Sequence, residues 1–161
     1  MTANASRDAD LRYAALLQLL RTADGIWDAS RIFFERWEVT PAQFNLLNLL
    51  TDAAEGMTQS DLSRELLTHR SNITGLVDRL EERGLVKRRA QADDRRAWRV
   101  VLTPAGQRLV EEILPHYYRA AERLWEGVRA GARDPERLSA VLRQIADNAR
   151  AAAERLSGRS S

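Results

Sequence analysis

Cysteine is missing from all 161 residues, which excludes disulfides, thiolate metal sites and thiol-based redox sensing. Long apolar runs are missing too. No stretch approaches the ~20 residues that a membrane span needs, and no N-terminal apolar segment resembles a secretion signal. The expectation is a cytoplasmic protein with no membrane attachment. Histidine is scarce, and neither His69 nor His116 has a partner at metal-ligand spacing. There is no phosphate-cradling glycine loop and no nucleophile elbow. Adjacent acids such as Glu81-Glu82 and Glu111-Glu112 read as solvated helix faces. The sequence therefore predicts no catalytic residues, no metal, no cofactor and no enzyme. Net charge is also low, at +2, so overall charge does not by itself point to nucleic acid.

What is present is concentrated between Thr58 and Thr103, where two helical patterns precede two strand-like runs joined by a charged turn. The second helix is expected to start near Thr68, whose hydroxyl suits an N-cap. Ile73, Leu76, Val77 and Leu80 follow i, i+3, i+4, i+7 and form its inward stripe. Gly84 ends it in the left-handed conformation, with Leu85 folding back onto Leu80. Leu85 to Gln91 and Arg96 to Leu102 alternate as strands, with Trp98, Val100 and Leu102 on one face and Ala92 to Arg95 as the turn. Arg83 to Arg99 holds seven basic residues against Asp93 and Asp94, a local +5 that leaves about −3 for the rest. Such a concentration suits a phosphate-facing surface, and on charge alone a solvated hairpin suits it equally.

The order helix, helix, hairpin is that of a winged helix-turn-helix. A helix entering the major groove presents short polar or planar side chains near its N-terminus. Thr68, His69, Arg70, Ser71, Asn72 and Thr74 are of that kind. Arg70 has the donors for guanine and Asn72 the pair for adenine.

The flanks are helical. Leu11 to Trp37 is a long pattern whose apolar surface is wider than one core-facing stripe requires, so it needs a second partner, most simply another subunit. Residues 1–10 read as a frayed polar end, and Gly25 as a possible bend. Thr40, Pro41 and Gln43 form a helix start with a capping box, and Val39 staples to Phe44. Thr58 and Asp61 form a weaker box. Thr103-Pro104 opens another long helix with Leu109, Ile113, Tyr117, Ala121, Leu124 and Val128 along one stripe, kinked at Pro115. After a break at Gly131 to Arg133, Asp134-Pro135 caps a last helix carrying Leu138, Val141, Leu142 and Ile145.

RSNITGLVDRLEERGLV followed by DDRRAWRVVLTPAG resembles the MarR family of bacterial transcription regulators. The family's wing motif, Asp-x-Arg, five residues, Leu-Thr, is matched here by Asp94, Arg96, Leu102 and Thr103. The resemblance implies a mainly α fold with a small β-hairpin wing. In it a winged helix-turn-helix over about 40–103 is flanked by dimerisation helices over about 8–37 and 104–157, all one domain. It implies a homodimer on double-stranded DNA and, in the family's manner, a repressor on a pseudo-palindrome released by a small aromatic or anionic effector. By position Arg96 would enter the minor groove with Asp94 steadying it, while Lys87, Arg88 and Arg89 would take phosphates and Arg95 would be a further DNA-binding residue. Trp27, Arg31, Phe44 and His116 have the chemistry of an effector pocket. Gly75 departs from the family, whose members usually carry a larger polar residue there. A different class stays open: a helical dimer whose winged unit binds protein, distinguished by weak salt dependence.

Overall fold

The computed structural model describes residues 3–66, 70–90, 98–128 and 134–157. Helix α1 (Ala3–Phe34) starts well ahead of Leu11, because the polar residues there include good helix formers and neither proline nor glycine. It continues through Gly25 without interruption. A 3-10 turn (Glu35–Trp37) then leads to Glu38, whose φ of 55° is left-handed. Arg83 braces this corner by donating to the carbonyls of Glu38 and Trp37.

The expected capping box opens α2 (Pro41–Thr51). Thr40 Oγ1 accepts from the Gln43 amide at 3.2 Å, and the Gln43 side chain accepts from the Thr40 amide at 2.8 Å. Strand β1 (Met57–Thr58) follows, then α3 (Gln59–Glu65), α4 (Arg70–Glu82), β2 (Val86–Ala90), β3 (Trp98–Leu102), α5 (Pro104–Leu124) and α6 (Pro135–Ser157). The sheet has three strands in the order β1-β3-β2, all antiparallel, rather than the two of a simple hairpin. Met57 pairs with Val100 and Thr58 with Arg99. A two-residue strand carries no period of its own, so only the tertiary pairing reveals it.

Burial along β3 departs from strict alternation, since Val100 and Val101 are both buried while Trp98 is exposed. Val101 is covered from the other side by the turn before β1, where Gly56 lies so close that a Cβ would stand 2.5 Å from Val101 Cγ1 and 2.4 Å from the Val100 carbonyl oxygen. Gly56 also has a φ of +74°, so both backbone and space require glycine.

The core is built from α2, α3, α4, the sheet and the first half of α5. Phe34 and Phe44 stack at 4.7 Å, and Leu46, Leu47, Leu62, Ile73, Val77, Leu80, Val110 and Ile113 are fully buried. On α5 the buried line is Gly106, Val110 and Ile113, one residue away from the expected Leu109, which is half-buried. The helix runs on through Pro115 but stops at Leu124, short of Val128, where Gly127 takes a φ of +75°. The chain divides into two units, Met1–Ile113 and Leu114–Ser161. In the second, Asp134 caps α6 by accepting from the Arg137 amide at 3.0 Å, and Leu138, Val141, Leu142 and Ile145 remain exposed.

Candidate nucleic-acid interface

Helix α4 is seated by Ile73, Val77 and Leu80, each 0% exposed. Its far end is closed by a glycine cap: the Gly84 amide donates to Glu81 O and the Leu85 amide to Leu80 O, both at 2.9 Å, with Gly84 at φ +68°. Next in line, Thr103 Oγ1 donates to Gly84 O at 2.7 Å and accepts from the Gly106 amide at 3.1 Å. One threonine thus joins the end of α4 to the start of α5. Asn72 and Thr74 are exposed on α4. Thr74 donates to Gln59 Oε1 at 3.2 Å, tying α4 to the first turn of α3. Gln59 was not among the predicted site residues, and only the crossing of the two helices brings it there.

At the N-terminus of α3, Thr58 Oγ1 accepts from the Asp61 amide at 3.1 Å and donates to Asp61 Oδ2 at 2.7 Å. The Thr58 hydroxyl, and then Arg64, hold the Asp61 carboxyl below its usual range despite some burial. Beyond the expected cap, the carboxylate also binds the Thr58 hydroxyl.

The basic segment divides by function. Arg88, expected on phosphate, is instead only 24% exposed and engages two acids of α4, Asp78 and Glu81. Its amide also donates to Glu81 Oε1 at 2.7 Å. Burial disfavours the Arg88 charge, but the hydrogen bonds to Asp78 and Glu81 outweigh that and raise its pKa. Arg89 and Arg99 face each other across the β2–β3 pair, a like-charge arrangement that would be repulsive. Both are drawn to the turn before β1: Arg89 to the Glu55 carboxylate at 2.6 Å and Arg99 to Gly56 O at 2.8 Å. With Arg83 on the Trp37–Glu38 corner, four of the seven basic residues brace the fold, and Lys87 is exposed on β2. The local charge of +5 therefore overstates what this surface has for a partner. Thr68, His69, Asp94, Arg95 and Arg96 lie outside the described residues. Arg70 and Ser71 lie in the first turn of α4.

This order of elements, two helices in a turn followed by a braced antiparallel hairpin, is a winged helix-turn-helix. The family model described as MarR family matches residues 37–97, from the last residue of the 3-10 turn to the residue before β3. The matched segment is similar to the MarR family. Among curated proteins, the transcriptional repressor MprA of Escherichia coli K12 is 30% identical over 100 residues, 62% of this chain and 56% of its own length. The chain spans about half the length of the curated relatives it matches. The crystal structure of CouR from Rhodococcus jostii RHA1 bound to p-coumaroyl-CoA is 28% identical, covering 84% of this chain and 89% of that one at a TM-score of 0.65. The S. aureus MepR–DNA complex, at 22% identity, shares the fold at a TM-score of 0.71, covering 84% and 97%.

The four predicted effector residues fall in both units. Phe44 is 1% exposed and stacked on Phe34, which makes it a core residue. Trp27 is 48% exposed on α1, and Arg31, one turn on, pairs with Asp28 at 3.7 Å. In the second unit His116 Nδ1 lies 3.0 Å from Arg119. Among the described residues no group of His, Asp and Glu could hold a metal ion.

Proposed function

We propose that this protein is a sequence-specific DNA-binding transcription regulator, a repressor that sits as a homodimer on a pseudo-palindromic operator and leaves it when a small effector binds. The observation that carries the reading is α4: a helix locked on one side by Ile73, Val77 and Leu80 and capped by Gly84, with the polar residues Asn72 and Thr74 exposed. A rigidly seated helix with an open polar face is what major-groove readout requires. The wing contributes Lys87, with Arg95 and Arg96 on phosphate or in the minor groove and Asp94 steadying Arg96. Arginine suits a narrow groove because its guanidinium is weakly hydrated and always charged. Arg70, Ser71, Thr68 and His69 complete the candidate base and phosphate contacts.

Dimerisation is supported by the exposed apolar residues of α1 (Leu11, Leu16, Leu20) and α6 (Val141, Leu142, Ile145). Two copies would present their α4 helices about 34 Å apart, one turn of the duplex. The whole chain acts as one regulator rather than an enzyme, and it works in the cytoplasm alongside its DNA. Trp27 and Arg31 on α1 offer an aromatic surface and a cation for an aromatic or anionic effector, and His116 on α5 is a separate candidate contact in the second unit. That effector acts by preferring one separation of the two α4 helices, and shifts the balance by no more than its differential affinity.

Selection of bound sequences from a random duplex pool, followed by titration of the winner across salt concentrations, tests the reading. A pseudo-palindrome should emerge, with affinity falling steeply as salt rises, and Arg96→Ala should weaken binding. Failure to enrich any sequence, together with salt-independent binding, overturns it in favour of a protein-binding role.

A further inference from the structure

The outward side of α4 holds a gap and a long cation that reaches across it. Gly75 and Arg79 each stand two residues from the buried Val77, which at 100° per residue puts both about 160° around the helix from that side chain. Arg79 is exposed. Its Nη2 lies 3.7 Å from the point where a Cβ on Gly75 would stand. The side chain therefore runs back about one turn, some 5.4 Å, toward the helix N-terminus, the direction in which helical side chains naturally lean.

We infer that Arg79 is a specificity-determining residue of the DNA site, carried by the absence of a side chain at Gly75 to the register nearer the N-terminus of α4. The inference rests on the DNA-binding reading above. The N-terminal part of such a helix is what meets the base edges, so donors rooted at position 79 are delivered at the level of position 75. A planar guanidinium is the commonest partner of guanine O6 and N7, and Lys cannot reproduce its fork. Neighbouring groups are already committed within the protein: Asp78 to Arg88, and the Thr74 hydroxyl to Gln59. A methyl group at position 75 would make only ordinary contact with Arg79 at 3.7 Å. A longer side chain there would occupy the place of the guanidinium.

Sequence selection from a random duplex pool with the parent, Arg79→Lys, Arg79→Ala and Gly75→Met tests the pair, with circular dichroism to verify that each variant is folded. In the parent, a symmetric pair of G·C positions should be preferred. In both Arg79 variants that preference should fall about ten-fold or more, while Arg79→Lys keeps the parent's affinity for scrambled DNA and its salt slope. Gly75→Met should alter the preference at the same positions. Three outcomes overturn the inference: the parent's preference undiminished in both Arg79 variants; loss in Arg79→Ala that is uniform over all sequences and restored by Arg79→Lys, which marks a phosphate contact; or an unchanged profile in Gly75→Met. A parent that enriches no sequence overturns the DNA-binding reading itself, and the inference with it.

Discussion

Gly106 shows how much a single position can carry. A Cβ there would stand 2.1 Å from Leu85 O and 2.8 Å from Leu102 Cδ1, at the point where the start of α5 crosses the end of α4. Gly106→Ala forces these apart, and overpacking of this kind costs about 1–3 kcal/mol or more. Urea denaturation should show a lower midpoint with an unchanged slope. Arg88 is the second such position. Its bonds to Asp78 and Glu81 hold β2 to α4, so Arg88→Met should destabilise by about 1.5–3 kcal/mol, the range for hydrogen bonds to charged groups. Equal stability of variant and parent in urea would show that the clamp contributes nothing. Asp61 links stability to pH. Its folded pKa lies below the ordinary 3.8 because Thr58 hydrogen-bonds the charged form, so its contribution is complete above that value and lost as the pH falls through the folded one. Asp61→Asn should therefore be less stable than the parent at pH 5 to 7, with the gap closing below about pH 4 in thermal melts.

At the level of elements, helix ends decide where the helix-turn-helix begins and stops. The Thr40–Gln43 box starts α2, and Thr40→Ala should cost about 1 kcal/mol, the usual worth of such a cap. Gly84 behaves differently from Gly106. Nothing lies within 4 Å of a Cβ there, but its φ is +68°. Gly84→Ala should therefore cost about 1–2 kcal/mol through backbone strain alone. Chemical denaturation of the two glycine variants separates crowding from conformation: Gly84→Asn should recover part of the loss, because asparagine tolerates this conformation, whereas Gly106→Asn should be worse than Gly106→Ala. The three-stranded sheet follows the same logic of supports. Arg89 and Arg99, opposite each other, are both pulled onto Glu55 and Gly56, so a turn before β1 steadies the base of the wing.

Over the whole molecule the largest unmet demand is apolar. Leu11, Leu16, Leu20, Ile26 and Trp27 on α1, and Val141, Leu142 and Ile145 on α6, are exposed, more than a folded chain ordinarily leaves open unless a partner covers it. If a second copy is that partner, sedimentation should report twice the chain mass. Leu142→Glu with Ile145→Glu should then halve that mass and abolish cooperative binding to a two-half-site operator. A double variant that stays dimeric would remove α6 from the interface.

Period and punctuation were legible in the sequence itself. The Ile73–Val77–Leu80 stripe, the Gly84 cap, the Thr40 box and the Asp134 cap all arise from neighbours within one or two turns, so local chemistry determines them. The resemblance to the MarR family was also legible, because the wing motif and the turn chemistry around it lie in one continuous segment. Contacts between distant parts could not. That Arg88 belongs to Asp78 and Glu81, that Arg89 and Arg99 grip the Glu55–Gly56 turn, that Val110 rather than Leu109 is buried on α5, and that Met57–Thr58 forms a third strand were decided by tertiary packing. A run of arginines looks the same in sequence whether its charges face a partner or the protein's own carboxylates. Only the crossing of strand and helix assigns each guanidinium to one or the other.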